Sequence, residues 1–364
     1  MIQRNSSLKL NDSISGNYST CTESVQSDMR VDPYAAFYPA AFGSSIFIIV
    51  VSFTTVLTNS FLLLTFYVDP LKTFRNPTTH FLTGLALVDL LTALVQEPIY
   101  ATCFMFLYFK NPLRRKCSPL MDAGKYFASF TMTVSFLIVF AFTVTQYIVV
   151  SSPLKYGRLV TNRKVLISVL AIYLYSTMFW CLHLMGVPEN IQHMVDVFVH
   201  NYVLIFITIA IYILLHRVMR KKMAAGNSLQ GNADAQARER SKHTQVQRNF
   251  VRVNFMLLAM LITCAMPTAV VWTIRLFTAQ YNTASVKVLI GNLMVDNLLY
   301  LKFLLDPFVY AWRVPEYRQA LKIVLRCGRK EPEARSKFSD RVMAEMSKSR
   351  DTVITLGLTS ISQD

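Results

Sequence analysis

Residues 42–68 read FGSSIFIIVVSFTTVLTNSFLLLTFYV, a run without a charged side chain. About 20 such residues, rising 1.5 Å each, cross a hydrocarbon core ~30 Å thick, so the run reads as a membrane-spanning helix. Six more follow at roughly 78–105, 119–150, 164–186, 197–219, 251–276 and 287–311. Of the 364 residues 53% are hydrophobic and 16% charged, whereas a soluble domain carries about 25% charge. The mean hydropathy is +0.36. These features predict an all-α fold, a seven-transmembrane helix bundle over 42–312, in place of the two or three soluble domains that length alone would suggest.

The formal net charge of +16 would suit a nucleic-acid binder, but 25 Phe and seven apolar runs exclude that partner. Placement explains the charge instead. Lys72 and Arg75 follow the first segment, Lys155, Arg158, Arg163 and Lys164 the third, and Arg217, Arg220, Lys221, Lys222 and further Arg and Lys to Arg248 the fifth. Arg313 to Lys330 continue the pattern after the seventh. Positive-inside bias sets these segments in the cytoplasm, against the lone dissent of Lys110, Arg114, Arg115 and Lys116 between the second and third. Sequons at Asn5, Asn11 and Asn17 side with the majority, since they accept glycans only in the secretory lumen.

Residues 1–41 are therefore expected to form an extracellular glycosylated tail. They lack the basic-then-apolar order of a signal peptide, so the first span is expected to target the chain. The stretch 223–247 is rich in Ala, Asn, Gln and Gly without an apolar period and reads as a mobile linker. At 313–328, Val314, Tyr317, Leu321, Val324 and Leu325 recur at helical spacing among Arg and Lys, predicting a short amphipathic eighth helix on the membrane face. Cys327 closes it, either a palmitoylation site or a plain thiol. Residues 329–364, charged and rich in Ser and Thr, read as a disordered cytoplasmic tail, solvated or phosphorylated. Six cysteines without metal-ligand spacing argue against zinc, haem or iron–sulfur chemistry. With no Gly-rich phosphate loop and no paired nucleophile and base, neither an enzyme nor a cofactor is expected.

The ordered motifs resemble the rhodopsin-like (class A) G-protein-coupled receptors. Asn59 stands in the first span, Leu85-Ala86-Leu87-Val88-Asp89 and Pro98 in the second, and Ser151-Ser152-Pro153-Leu154-Lys155-Tyr156, followed by Thr161, in the second inner loop. Cys264-Ala265-Met266-Pro267 lies in the sixth, and Asp306-Pro307-Phe308-Val309-Tyr310 ends the seventh. The resemblance implies hinges at Pro267 and Pro307, where proline removes a helical hydrogen bond and bends the rod. It also implies a plasma-membrane receptor, with Gln146, Tyr147 and Tyr212 on the face that meets a heterotrimeric G protein.

Several positions depart from the family's pattern. Thr145-Gln146-Tyr147 replaces Asp/Glu-Arg-Tyr, Ala265 the sixth-helix Trp, Tyr173 the fourth-helix Trp and Leu204 the fifth-helix Pro. The second outer loop, 186–196, has no cysteine to meet the family's third-helix Cys; Cys21 and Cys103, both expected near the outer face, are alternative partners for Cys117. The short second outer loop without Cys, the absent fifth-helix proline and the Asp-Pro-x-x-Tyr ending are similar to the melanocortin and cannabinoid-related receptors. The resemblance further implies a sodium ion between Asp89, Ser135 and seventh-helix polar groups. Lys302 falls on that face, and an intramembrane lysine costs ~2.5–3.5 kcal/mol unless paired. It is expected to take the sodium position and bridge Asp89 to Asp306. Opsins carry a retinal-binding lysine ten residues before the terminal Tyr; Tyr300 occupies that position here, and Lys302 lies roughly 200° around the helix from it. Retinal is not expected.

Ala128 stands where amine receptors carry a third-helix Asp, so a protonated monoamine would lose that counter-ion. Outer-half candidates for ligand contact are Gln96, Glu97, Lys125, Ala128, His200, Trp272, Arg275 and Asp296; the charged ones could equally pair among themselves. The function expected is sensing of an extracellular ligand of unknown class and transmission to a G protein. The alternatives are a receptor-like protein acting through heteromers or arrestin, and a transporter or channel, which should carry paired broken helices or repeats.

Overall fold

The structure, a computed structural model, describes residues 34–72, 74, 76–152, 159–228, 234–277 and 286–326. The sequons at Asn5, Asn11 and Asn17, Cys21, Cys327 and the tail lie outside them. The described residues include, in order, the helical rods α1 (Phe37–Val68), α2 (Pro77–Tyr108), α3 (Arg114–Ser151), α4 (Asn162–Met185), α5 (Glu189–Val195, Asp196–Val203 and Leu204–Ser228 in succession), α6 (Asp234–Phe277), α7 (Val286–Arg313) and the short α8 (Pro315–Leu325). Seven of them are long and apolar enough to cross a membrane, so this is a multi-pass membrane protein.

The rods start and stop where local chemistry asks. Asn76 accepts the Thr79 N–H at 3.1 Å ahead of Pro77, and Thr161 accepts the Lys164 N–H at 3.4 Å. Asp69 ends α1 in the left-handed region, its N–H bonded to the Thr65 carbonyl. Two spans begin well before hydropathy suggests. α5 begins at Glu189 rather than 197, because polar Gln192 finds a partner on α4 and His193 one on α6, while Glu189 pairs with His193 one turn on. α6 begins at Asp234, so most of the expected linker is helical: Ala, Gln, Arg and Glu favour helix even without an apolar stripe.

α3 runs through the middle, touching α2, α4, α5 and α6, while α1 packs on α2 and α7 and lays its inner end against α8. α2 and α4 approach closely at Gly84, where a Cβ would stand 2.8 Å from Val169 Cγ1. The same place explains the missing fourth-helix Trp, because Tyr173 donates its hydroxyl to the Gly84 carbonyl at 2.7 Å. Cys103 and Cys117 form a disulfide with Cα atoms 5.5 Å apart, tying α2 to the first turn of α3. On α8, Tyr317 and Ala320 are buried, and the Tyr317 ring meets Phe66 of α1. Burial pushes the Tyr317 hydroxyl up to about 12, leaving it neutral at pH 7.

Among the described residues, two π-helical turns interrupt the rods, at Thr92–Gln96 in α2 and Asp196–Val203 in α5. The second ends at Val203, just before Leu204, where the family's proline would have stood. Such turns insert one residue and rotate everything after them by about 100°.

Candidate functional site

At the end of the bundle opposite the basic loops, α2, α3, α5, α6 and α7 surround a cavity of about 340 Å³. His193 and Trp272 line it as stacked rings (centroids 4.9 Å apart, planes within 18°), backed by a second stacked pair, Tyr126 on His183 (4.9 Å), with Tyr126 and His193 6.1 Å apart. Among its lining residues three buried polar atoms have no hydrogen-bond partner: Gln96 Oε1, Thr268 Oγ1 and Asn292 Nδ2. Unsatisfied groups of this kind cost ~1–3 kcal/mol each, and a bound molecule that meets them recovers that cost. Gln96 Nε2 already donates to the Tyr300 hydroxyl at 3.4 Å.

The α5 wall is held by a chain of polar contacts. Asp196 Oδ1 accepts from His200 Nδ1 at 3.0 Å and from the Thr133 hydroxyl at 3.1 Å. His200 Nε2 meets the Tyr175 hydroxyl at 2.8 Å, and Trp180 donates to Thr133 at 3.4 Å. This chain joins α3, α4 and α5, and the π-helical turn aims Asp196 into it.

Below the cavity floor, formed in part by Ala265 and Tyr300, lies the charged core. Lys302 Nζ sits 3.2 Å from Asp89 Oδ1, 3.1 Å from Ser135 Oγ and 2.9 Å from Asp306 Oδ2, and all four residues are at most 1% exposed. The ammonium also stands 4.6 Å from the Phe303 ring centroid. The expected bridge is thus present in its geometry. Beside it, Pro307 has no N–H for the Phe303 carbonyl one turn back, and Asn59 Nδ2 donates to that carbonyl at 3.3 Å and to Thr55 O at 3.1 Å.

At the inner end Gln146 is buried, and apolar contact among Val150, Leu215 and Val251, flanked by Tyr147 and Tyr212, closes α3, α5 and α6. One turn above Gln146, Thr143 and Asn254 exchange hydrogen bonds at 3.0 and 3.1 Å, both fully buried. A neutral clasp therefore joins α3 to α6.

Of the residues singled out from the sequence, Gln96, Lys125, Ala128, Trp272 and Asp296 line the cavity. His200 stands behind Asp196, and Lys125 pairs with Asp122 at 2.6 Å on the exposed rim. Glu97 is a correction: it faces a recess between α1 and α2, since neighbouring helical residues point about 100° apart and Gln96 takes the inward direction. The side chains of Arg275 and Tyr310 lie outside the described residues. Thr133, His193, Asn254, Thr268 and Asn292 were not anticipated. A polar side chain inside an apolar span was the available signal, but such residues are common enough that only contact across helices separates them.

The chain matches the family model of the 7 transmembrane receptor (rhodopsin family) over residues 58–310. It belongs to that family. This rhodopsin-family chain is similar to Melanopsin-B of Gadus morhua, 27% identical over 170 residues, which cover 45% of this chain and 26% of the relative. It is also similar to the muscarinic acetylcholine receptor gar-2 of Caenorhabditis elegans, 29% identical over 142 residues, covering 39% of this chain and 22% of that receptor. The matched part is therefore about a quarter of each relative's length.

Proposed function

We propose that this protein is a G-protein-coupled receptor of the plasma membrane, its N-terminus outside, which binds a small extracellular ligand in the central cavity. The observation that carries this is the stacking of three layers along one axis. The cavity with its orphan polar atoms lies directly above the Lys302, Asp89 and Asp306 core, and the core lies above the α3–α6 clasp. A ligand can bias such a stack only through contacts that differ between two arrangements of the helices. Pro267 and Pro307 supply the joints. Ala265, a methyl in place of the family's indole, forms part of the floor between the cavity and the charged core.

The cavity is at the small end of the usual ligand-site range of ~300–1,000 Å³, which favours a small molecule over an inserted peptide. One relative is named for acetylcholine. With Ala128 on α3, a cationic head here would have to be met from α5 or α7, by Asp196 or Asp296. The Lys302 ammonium acts as a tethered ion in the position the family resemblance gives to sodium.

Gln146 in place of arginine supports a second reading, a receptor that engages arrestin or another receptor without activating G proteins. Nucleotide exchange and arrestin recruitment measured in cells with the wild type and Gln146→Arg separate the two. Ligand-driven exchange in the wild type supports coupling, whereas exchange only in Gln146→Arg, with arrestin recruited by both, supports the second reading. A wild type that neither exchanges nucleotide nor recruits arrestin against broad ligand libraries overturns receptor function.

A further inference from the structure

Glu97 is completely buried, and neither of its carboxyl oxygens has a hydrogen-bond partner. It lies along a recess of about 420 Å³, separate from the central cavity, between α1 and the second half of α2. The walls are apolar, with Ile49, Phe53 and Val56 on one side and Leu94, Ala101 and Met105 on the other. Phe53 is 66% and Leu94 55% exposed, so in a bilayer the mouth opens on hydrocarbon. A carboxyl at membrane depth without a partner is costly and marks a functional site by default.

The backbone around it is arranged to keep it there. Glu97 N–H bonds to the Thr92 carbonyl across the π-helical turn, and Pro98 has no N–H. The Ala93 carbonyl therefore loses its donor in either helical pattern, and the Ser52 hydroxyl of α1 supplies one at 2.8 Å. The turn that aims Glu97 is thus tied to the opposite wall of the recess, and Ser52 is already engaged. Glu97 is left as the acid that meets an occupant.

We propose that this recess binds a neutral lipid that carries a hydroxyl within its hydrocarbon part, a sterol hydroxylated on its side chain or a hydroxylated fatty chain. A mouth on hydrocarbon admits neutral molecules and rejects ions, which would leave their hydration behind. The single polar group at the floor matches a single hydroxyl set within the ligand's hydrocarbon part. A hydroxyl both gives and accepts a hydrogen bond, as a carboxyl does, whereas a phosphate would set negative charge against it. Depth selects among alcohols: Glu97 is eleven residues, about 16 Å, from Tyr108 at the end of α2, below the level of headgroups and ring-borne sterol hydroxyls.

The test uses the full chain in phosphatidylcholine nanodiscs with a photoreactive side-chain-hydroxylated sterol, labelled residues being located by mass spectrometry. Competitors are the same sterol without the side-chain hydroxyl, a hydroxylated fatty chain, its unhydroxylated counterpart and a long-chain amine. Labelling within 49–56 and 94–106, displaced by the hydroxylated lipids alone, is the expected result. Displacement by one hydroxylated lipid and not the other identifies the source. Glu97→Leu should weaken labelling at least tenfold, and Glu97→Gln, which still hydrogen-bonds, by less. Thr102→Trp, on the exposed rim and remote from the fold's core, should block the recess and abolish labelling even if Glu97→Leu does not fold. The proposal is overturned by labelling elsewhere or none, by equal displacement from unhydroxylated lipids, by displacement from the amine alone, or by labelling unchanged in Thr102→Trp.

Discussion

Lys302 illustrates how one side chain can rewrite a shared design. Two carboxylates, Asp89 and Asp306, face one ammonium in a space from which water is excluded. Removing one member of such a cluster leaves uncompensated charge, at a cost of about 3–5 kcal/mol in buried pairs. Lys302→Ala should therefore lower the thermal midpoint of the purified receptor. It should also make the midpoint rise with NaCl but not with choline chloride, because an ion that binds only the folded state stabilises it. The wild type should respond alike to both salts; sodium-selective stabilisation of the wild type would refute the tethered-ion role. Asn59→Leu tests a neighbouring claim. It strands the Phe303 carbonyl freed by Pro307, and a loss of about 1–3 kcal/mol in unfolding free energy is expected, read by denaturant titration in micelles.

For the helices as units, the question is what holds α3 against α6 without the family's arginine. The Thr143–Asn254 exchange is neutral, and a net worth of about 1 kcal/mol is ordinary for such a contact. Asn254→Leu should raise basal nucleotide exchange several-fold if the clasp restrains the resting state, while Asn254→Gln should raise it less. Equal basal exchange in both variants and the wild type would make the clasp a packing detail. The Cys103–Cys117 bridge acts at the other end, closing a loop of fourteen residues' separation between α2 and α3. Its loss in Cys117→Ser should cost about 3 kcal/mol by loop entropy, seen as a lower unfolding midpoint that reducing agent reproduces in the wild type.

In the molecule as a whole, seven helices of the described residues are long and apolar enough to cross a membrane, and an odd number of crossings would set the segments before α1 and after α7 on opposite sides of the bilayer. Epitope tags at the two termini, probed in intact and permeabilised cells, should show the first tag outside and the second inside. Glycosidase should shift the mass of the wild type but not of a variant lacking Asn5, Asn11 and Asn17. Both tags on one side would remove the receptor assignment altogether.

How much of this was legible without coordinates differs by feature. Seven spans, the amphipathic eighth helix and the Lys302 bridge could be read from the chain, because each depends on hydrophobicity, period or the cost of a lone charge in lipid. Helix boundaries were harder: α5 and α6 continue through polar residues whose partners or helix propensity outweigh low hydropathy. The direction in which Glu97 points, the choice of Cys103 as the partner of Cys117, and the meeting of Thr143 with Asn254 came only from the tertiary structure. The physical reason is common to all three. Hydropathy is a property of each residue summed along the chain, whereas a π-helical turn or a contact across helices depends on where distant segments bring their backbones and on which groups are then left to be satisfied.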